Sequence, residues 1–217
     1  MKKIFFAVFF LLTAFQNVFA QNLSGKYLFS YLTVDNGLTN NFVDNIYKDS
    51  RGFMWISTLG GGLLRYDGYV FLHFNNRSKC PLKSNFVRQT VEDNFSRLWI
   101  ASEGGLDVME LTSFARSGVL NEESEFPEVF SSTIQKLIKA SDGSIWAALK
   151  KSVVRFTFDD AGNIAKINVL RPDIDITTPV VSLFEYDGQM LAGINNGVSK
   201  IITADNGELI AVRFQTF

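Results

Sequence analysis

Trp55, Trp99 and Trp146 stand 44 and 47 residues apart, and Leu191 follows the last of them by 45. Around each of these four anchors the chain repeats itself. The copies read "VDNIYKDSRGFMWISTLGGGLLRY", "VRQTVEDNFSRLWIASEGGLDVME", "IQKLIKASDGSIWAALKKSVVRF" and "VVSLFEYDGQMLAGINNGVSKI". A polar turn precedes each anchor by three or four residues, at Arg51-Gly52, Phe95-Ser96, Asp142-Gly143 and Asp187-Gly188. A second turn follows six or seven residues later, at Gly62, Gly105, Val153 and Gly197. A period of this length restricts the chain to solenoids, arrays or propellers, whose units bury their apolar faces only against one another.

The short-range pattern separates these. Each copy holds apolar runs of four to seven residues rich in Val, Ile, Phe and Trp, bounded by turn residues. That is the signature of short antiparallel strands, and helical periodicity is not sustained in the rest of the chain beyond the first twenty residues. In the first copy the strands are expected at Phe42 to Lys48, Phe53 to Thr58, Gly62 to Tyr66 and Tyr69 to Phe74. Four strands per repeat make a propeller blade. The class is all-β, β-propeller blades of four antiparallel strands, about four of them, over 34–75, 82–126, 129–171 and 178–217. Two features are less regular. "SFARSGVLNEESEFPEV" in the second copy, with Glu122, Glu123 and Glu125, reads as a loop in place of a fourth strand. "YLFSYL", Tyr27 to Leu32, reads as a strand before the first blade, and "ELIAVRF", Glu208 to Phe214, as the fourth strand of the last.

Gly60, Gly61 and Gly62 raise the question of a phosphate loop. Such a loop needs a helix after it, because the helix N-terminus supplies the anion site. Here "LLRYDGYVF" follows, a further hairpin with an Asp-Gly turn. The triple glycine is therefore a hairpin turn, with a local bulge expected there.

The first twenty residues are a separate object. Lys2 and Lys3 precede an apolar run, and Val18 and Ala20 stand at −3 and −1 of a cleavage point before Gln21. This is the layout of a signal peptide, residues 1–20, and the run is too short for a bilayer span. Removing it leaves 19 basic and 22 acidic residues, a formal charge of −3. The chain is thus expected to be exported and periplasmic, with no second membrane segment. Its charge gives no basic field for nucleic acid. Cys80 is the only cysteine, so no internal disulfide holds the fold.

Catalytic chemistry finds little footing. His73 is the only histidine and lies on an alternating strand. One His and one Cys cannot make a zinc site of His and Cys ligands, and a nucleophile elbow is lacking. Asp49 and Asp93 occupy equivalent positions, which points to turn capping. Asp159 to Asn163 and Asp205 to Gly207 read as hairpin turns without calcium-loop spacing. No catalytic, metal or cofactor residue is assigned. Ligand-contacting residues are unknown, although Tyr66 and Tyr69 are aromatics that a ligand could use if core or cross-strand packing does not claim them.

Leu32 to Phe74 resembles a blade of the two-component regulator propellers, through Asp35, Gly37, Leu38, Asn41, Val43, Ile46, Asp49, Gly52, Trp55, Ile56, Thr58, Gly62, Tyr66, Asp67 and Gly68. The second copy is similar at Val87, Asp93, Leu98, Trp99, Ile100, Gly104 and Leu106. The resemblance implies the periplasmic sensor region of hybrid two-component histidine kinases of Bacteroidetes-type bacteria, which sense oligosaccharides. It further implies an oligosaccharide ligand and a homodimer in a full-length sensor. Kinase motifs are lacking here, so the chain itself is expected to be a recognition module and not an enzyme. The alternatives are a propeller lyase or hydrolase, or a truncated remnant. Because the family's blades build a wider ring, four of them are expected to form an incomplete or open propeller.

Overall fold

A computed structural model of the chain describes residues 29–120, 130–150, 152–170, 180–194, 197–204 and 208–213. The expected leader at 1–20, Glu122, Glu123, Glu125 and the expected turn at 205–207 lie outside the described residues. Contacts divide the chain into Met1–Tyr31 and Leu32–Phe217, and every named strand lies in the second of these units.

That unit holds four antiparallel sheets whose strands follow chain order. The first contains β1 (Val43–Lys48), β2 (Met54–Thr58), β3 (Gly62–Tyr66) and β4 (Phe71–Phe74). The second contains β5 (Val87–Glu92), β6 (Arg97–Ser102) and β7 (Gly105–Glu110). The third contains β8 (Ile134–Lys139), β9 (Ile145–Leu149), β10 (Val153–Phe158) and β11 (Ile164–Leu170). The fourth contains β12 (Val180–Tyr186), β13 (Gln189–Ile194), β14 (Gly197–Thr203) and β15 (Leu209–Arg213). The all-β expectation holds. Helix is confined to Phe130 and Ser131 and a 3-10 turn, Val34–Asn36, among the described residues, the latter capped by Thr33 and closed by Gly37 with φ of 109°.

Each sheet has two unlike faces. Cross-strand partners share a face, so Tyr47, Trp55 and Arg65 lie on one side of the first sheet, and Ile46, Ile56 and Leu64 on the other. We call the first the anchor face and the second the back face. Trp55 packs with Leu98, Ile100 and Met109 of the second sheet. Trp99 packs with Leu137, Ile145 and Phe156 of the third. Trp146 packs with Met190, Ala192 and Ile201 of the fourth. Every tryptophan therefore fills the gap to the following sheet, and every junction is an anchor face on a back face. The first strands β1, β5, β8 and β12 adjoin one another in that order. Among the described residues no comparable packing joins β12 back to β1, so the sheets do not close.

Several expectations shift. Phe29 to Leu32, the described part of the expected leading strand, is not a strand. β15 already completes the fourth sheet, at the edge such a strand would otherwise extend. Among the described residues the second sheet has three strands, and beside its edge stands a single bridge, Met109 to Arg116. The pairing of β2 with β3 runs without interruption, so the triple glycine makes no bulge. Gly60 and Gly62 instead supply left-handed backbone, with φ of 100° and 84°. Bulges occur elsewhere, one residue into the first strand of every sheet, between Val43 and Asn45, Val87 and Gln89, Ile134 and Lys136, and Val180 and Ser182. Gly62, Gly105, Val153 and Gly197 each begin a strand, so the turns lie just before them.

Candidate functional site

The turn before each anchor is where the charged chemistry collects. Asp49 Oδ1 accepts from the backbone N–H groups of Arg51 (3.0 Å) and Phe53 (2.9 Å), and Oδ2 accepts from Trp55 Nε1 (2.9 Å). Asp93 repeats this with Phe95 (2.8 Å), Arg97 (3.1 Å) and Trp99 Nε1 (2.8 Å), and adds an ion pair to Arg97 Nε at 2.6 Å. A short carboxylate thus closes the turn and fixes the indole, as an Asx side chain can. Both carboxylates are buried and engaged in this way. The third copy has Ala140 at that position, and Ser144 Oγ accepts from Trp146 Nε1 at 2.9 Å instead.

An arginine lies over aromatic rings at each junction. Arg65 of β3 sits between Phe53 (4.2 Å) and Phe114 (4.8 Å). Arg97 of β6 sits between Phe95 (5.0 Å) and Phe158 (5.1 Å). Arg155 of β10 lies over Trp146 at 5.4 Å. Its other contacts are hydroxyls and a carboxylate, Thr203 Oγ1 at 3.2 Å and Asp142 Oδ2 at 2.6 Å. Ser144 occupies the place of Phe53, two residues before the anchor. With no phenyl rings to fill it, the rim of the third junction opens into a cleft of about 300 Å³ lined by Asp142, Trp146, Arg155, Glu185, Gln189 and Thr203. Glu185 is held by Ser141, whose N–H donates to Oε2 at 2.7 Å. Trp146 is only 5% exposed, so what the cleft offers is hydrogen bonding and not a stacking surface.

Burial alone would raise the Asp142 carboxyl. Hydrogen bonds from Ser144 and Arg155, with the guanidinium charge, outweigh it and hold the group below its ordinary 3.8. A carboxylate depressed in the folded state contributes stability above the unfolded value and loses it as pH falls through the folded one. Asp142→Asn should therefore flatten the loss of stability below pH 3.8. Urea midpoints of both proteins across pH 2 to 5 check this, and parallel acid limbs would contradict it.

A second hollow, about 230 Å³, lies beside the second sheet between Lys83, Leu106, Arg116 and Leu120. Asp107 at its edge pairs with Arg116 at 3.0 Å, yet burial pushes its carboxyl up. His73 is exposed on β4 beside Phe71, away from both hollows. Cys80 is half-buried, and burial pushes its thiol up, which disfavours the reactive thiolate. Tyr66 stacks on Phe71 at 4.6 Å. Tyr69 is 92% exposed, so neither core nor cross-strand packing claims it. Among the described residues no group of three His, Cys, Asp or Glu side chains could hold a metal ion, and no helix is long and apolar enough to cross a membrane.

Residues 37–60 match the model of the two component regulator propeller family. A histidine kinase of Formosa agariphila is 29% identical over 97 residues, taking in 37% of this chain and 7% of the kinase. The fold matches the extracellular domain described as that of a hybrid two-component system from B. thetaiotaomicron, with TM-score 0.56 and 18% identity over 85% of this chain and 31% of that one. Virginiamycin B lyase from Staphylococcus aureus is similar too, with TM-score 0.58 and 14% identity over 90% of this chain and 62% of the lyase. The chain spans less than a third of the length of the kinase and of the sensor domain.

Proposed function

We propose that this two-component regulator propeller chain forms part of the exported, periplasmic sensor region of a hybrid two-component system, and that it recognises an uncharged saccharide. Three things support export and sensing: the leader-like residues 1–20, the repeat at 37–60, and the histidine kinase that resembles the chain. The observation that carries the ligand class is the cleft of the third junction. Asp142 and Glu185 accept hydrogen bonds there, and Arg155 donates them. Fixed donors and acceptors around a small hollow suit hydroxyl groups. The volume lies at the lower end of the ~300–1,000 Å³ typical of ligand clefts, so it would take a single sugar ring.

Titration calorimetry of the purified chain against methyl glycosides and short neutral oligosaccharides tests this reading. One of them should bind saturably, and Arg155→Ala should weaken it at least tenfold. No heat from any saccharide, or equal binding by the variant, would overturn the assignment. The lyase-like alternative gains no support from His73, which is exposed and remote from the cleft.

A further inference from the structure

The three internal junctions obey one rule, and the two outer sheets leave it half used. On the anchor face, Tyr47, Val91 and Ile138 pair with the three tryptophans and lie in the cores between sheets. Their counterpart in the fourth sheet is Phe184, paired with Leu191. It is 42% exposed, and Val212 in the same row is 46% exposed. On the back face, Thr90 and Leu137 are 0% and 2% exposed, whereas their counterpart in the first sheet, Ile46, is 57% exposed. One anchor face and one back face thus stand without a neighbouring sheet among the described residues.

Polar positions repeat in the same way. Glu92, at the end of β5, accepts from the N–H (2.6 Å) and hydroxyl (2.7 Å) of Ser50 across the first junction. Glu185 does the same to Ser141 across the third. The register puts Lys48 at the position of Glu92 and Glu185 on the first sheet. It puts Asp187 at the position of Ser50 and Ser141 in the fourth sheet's turn. Both are exposed, and they carry opposite charges.

We propose that the anchor face of the fourth sheet docks, head to tail, on the back face of the first sheet of a second copy, with Phe184 against Ile46 and Asp187 paired with Lys48. Leu38 covers Ile56 and Leu64 of that back face and leaves β1 open. The strongest contacts between sheets run between first strands, so β1 and β12 are the strands this docking needs. A contact of this heterologous kind closes a ring where the rotation permits and otherwise grows.

Light scattering on a sizing column, over a concentration series of the purified chain, should show mass above the monomer that falls with added salt. Phe184→Glu and Ile46→Glu each spoil one face at an exposed position, and a thermal melt confirms that they fold. Each alone should raise the dissociation constant at least tenfold. Mixed in equal amounts they should form a 1:1 dimer, because each retains the face the other lacks. A wild-type monomer throughout, variants that associate like wild type, or a mixture that stays monomeric would overturn the proposal.

Discussion

Trp99→Ala is expected to lower the unfolding free energy by about 3–5 kcal/mol. The indole is 0% exposed, with its ring 5.0 Å from Phe156 and 5.7 Å from Phe158 of the third sheet. Truncation opens a cavity walled by Val91, Leu106, Val108 and Phe156. Those walls are backbone-paired strands, which relax poorly into the gap. It also removes the Nε1 donor from Asp93. For a unit of this size each kcal/mol shifts the melting temperature by about 2–4 °C, so a fall of about 6–20 °C should appear by calorimetry. A fall under 2 °C would mean that the second junction is not a packed core.

Asp93→Ala should cost a similar amount, about 3–5 kcal/mol, for a different reason. Arg97 has a side chain only 7% exposed, boxed between Phe95 and Phe158. Without Asp93 its guanidinium keeps the Gly162 carbonyl at 2.7 Å but has no counter-charge, and the indole N–H is orphaned as well. A buried charge stripped of its partner is costlier than the pair is favourable. Asp93→Asn restores an acceptor and should recover part of the loss. Because Trp99 and Asp93 share one hydrogen bond, the double variant should lose less than the sum of the singles. Urea unfolding of the set checks this, and strict additivity would contradict it.

The repeat is legible in the sequence because Trp55, Trp99 and Trp146 each do the same packing job, so spacing alone reveals four units. The glycine turns are legible for a related reason: positions needing left-handed backbone select glycine. What the sequence does not show is direction. Nothing in "MWIS" or "LWIA" says that the indole faces the following sheet, since both faces of a propeller blade are apolar. The bulges one residue into each first strand carry no residue signature, because an extra unpaired residue in a strand needs no particular side chain. The cleft escapes for another reason. Its signal is an absence, Ser144 where Phe53 stands in the first copy, and an absence acquires meaning only when the neighbouring junctions show a boxed arginine. Tyr69 escapes too, because an Asp-Gly hairpin can turn an aromatic outward as readily as inward.

Sheets that touch only their neighbours make stability nearly one-dimensional: each contributes its own term and one for each interface it shares. Among the described residues the fourth sheet shares an interface with the third alone. Like the first sheet, which adjoins only the second, it is a terminal unit that can open at a free energy below that of global unfolding. The cleft has one wall on the fourth sheet, through Glu185 and Gln189. Opening of the terminal unit abolishes the cleft, so by linkage any occupant favours the closed end. Binding at the rim and order at the terminus become a single equilibrium, by which an event at one junction can be felt by whatever adjoins the last sheet.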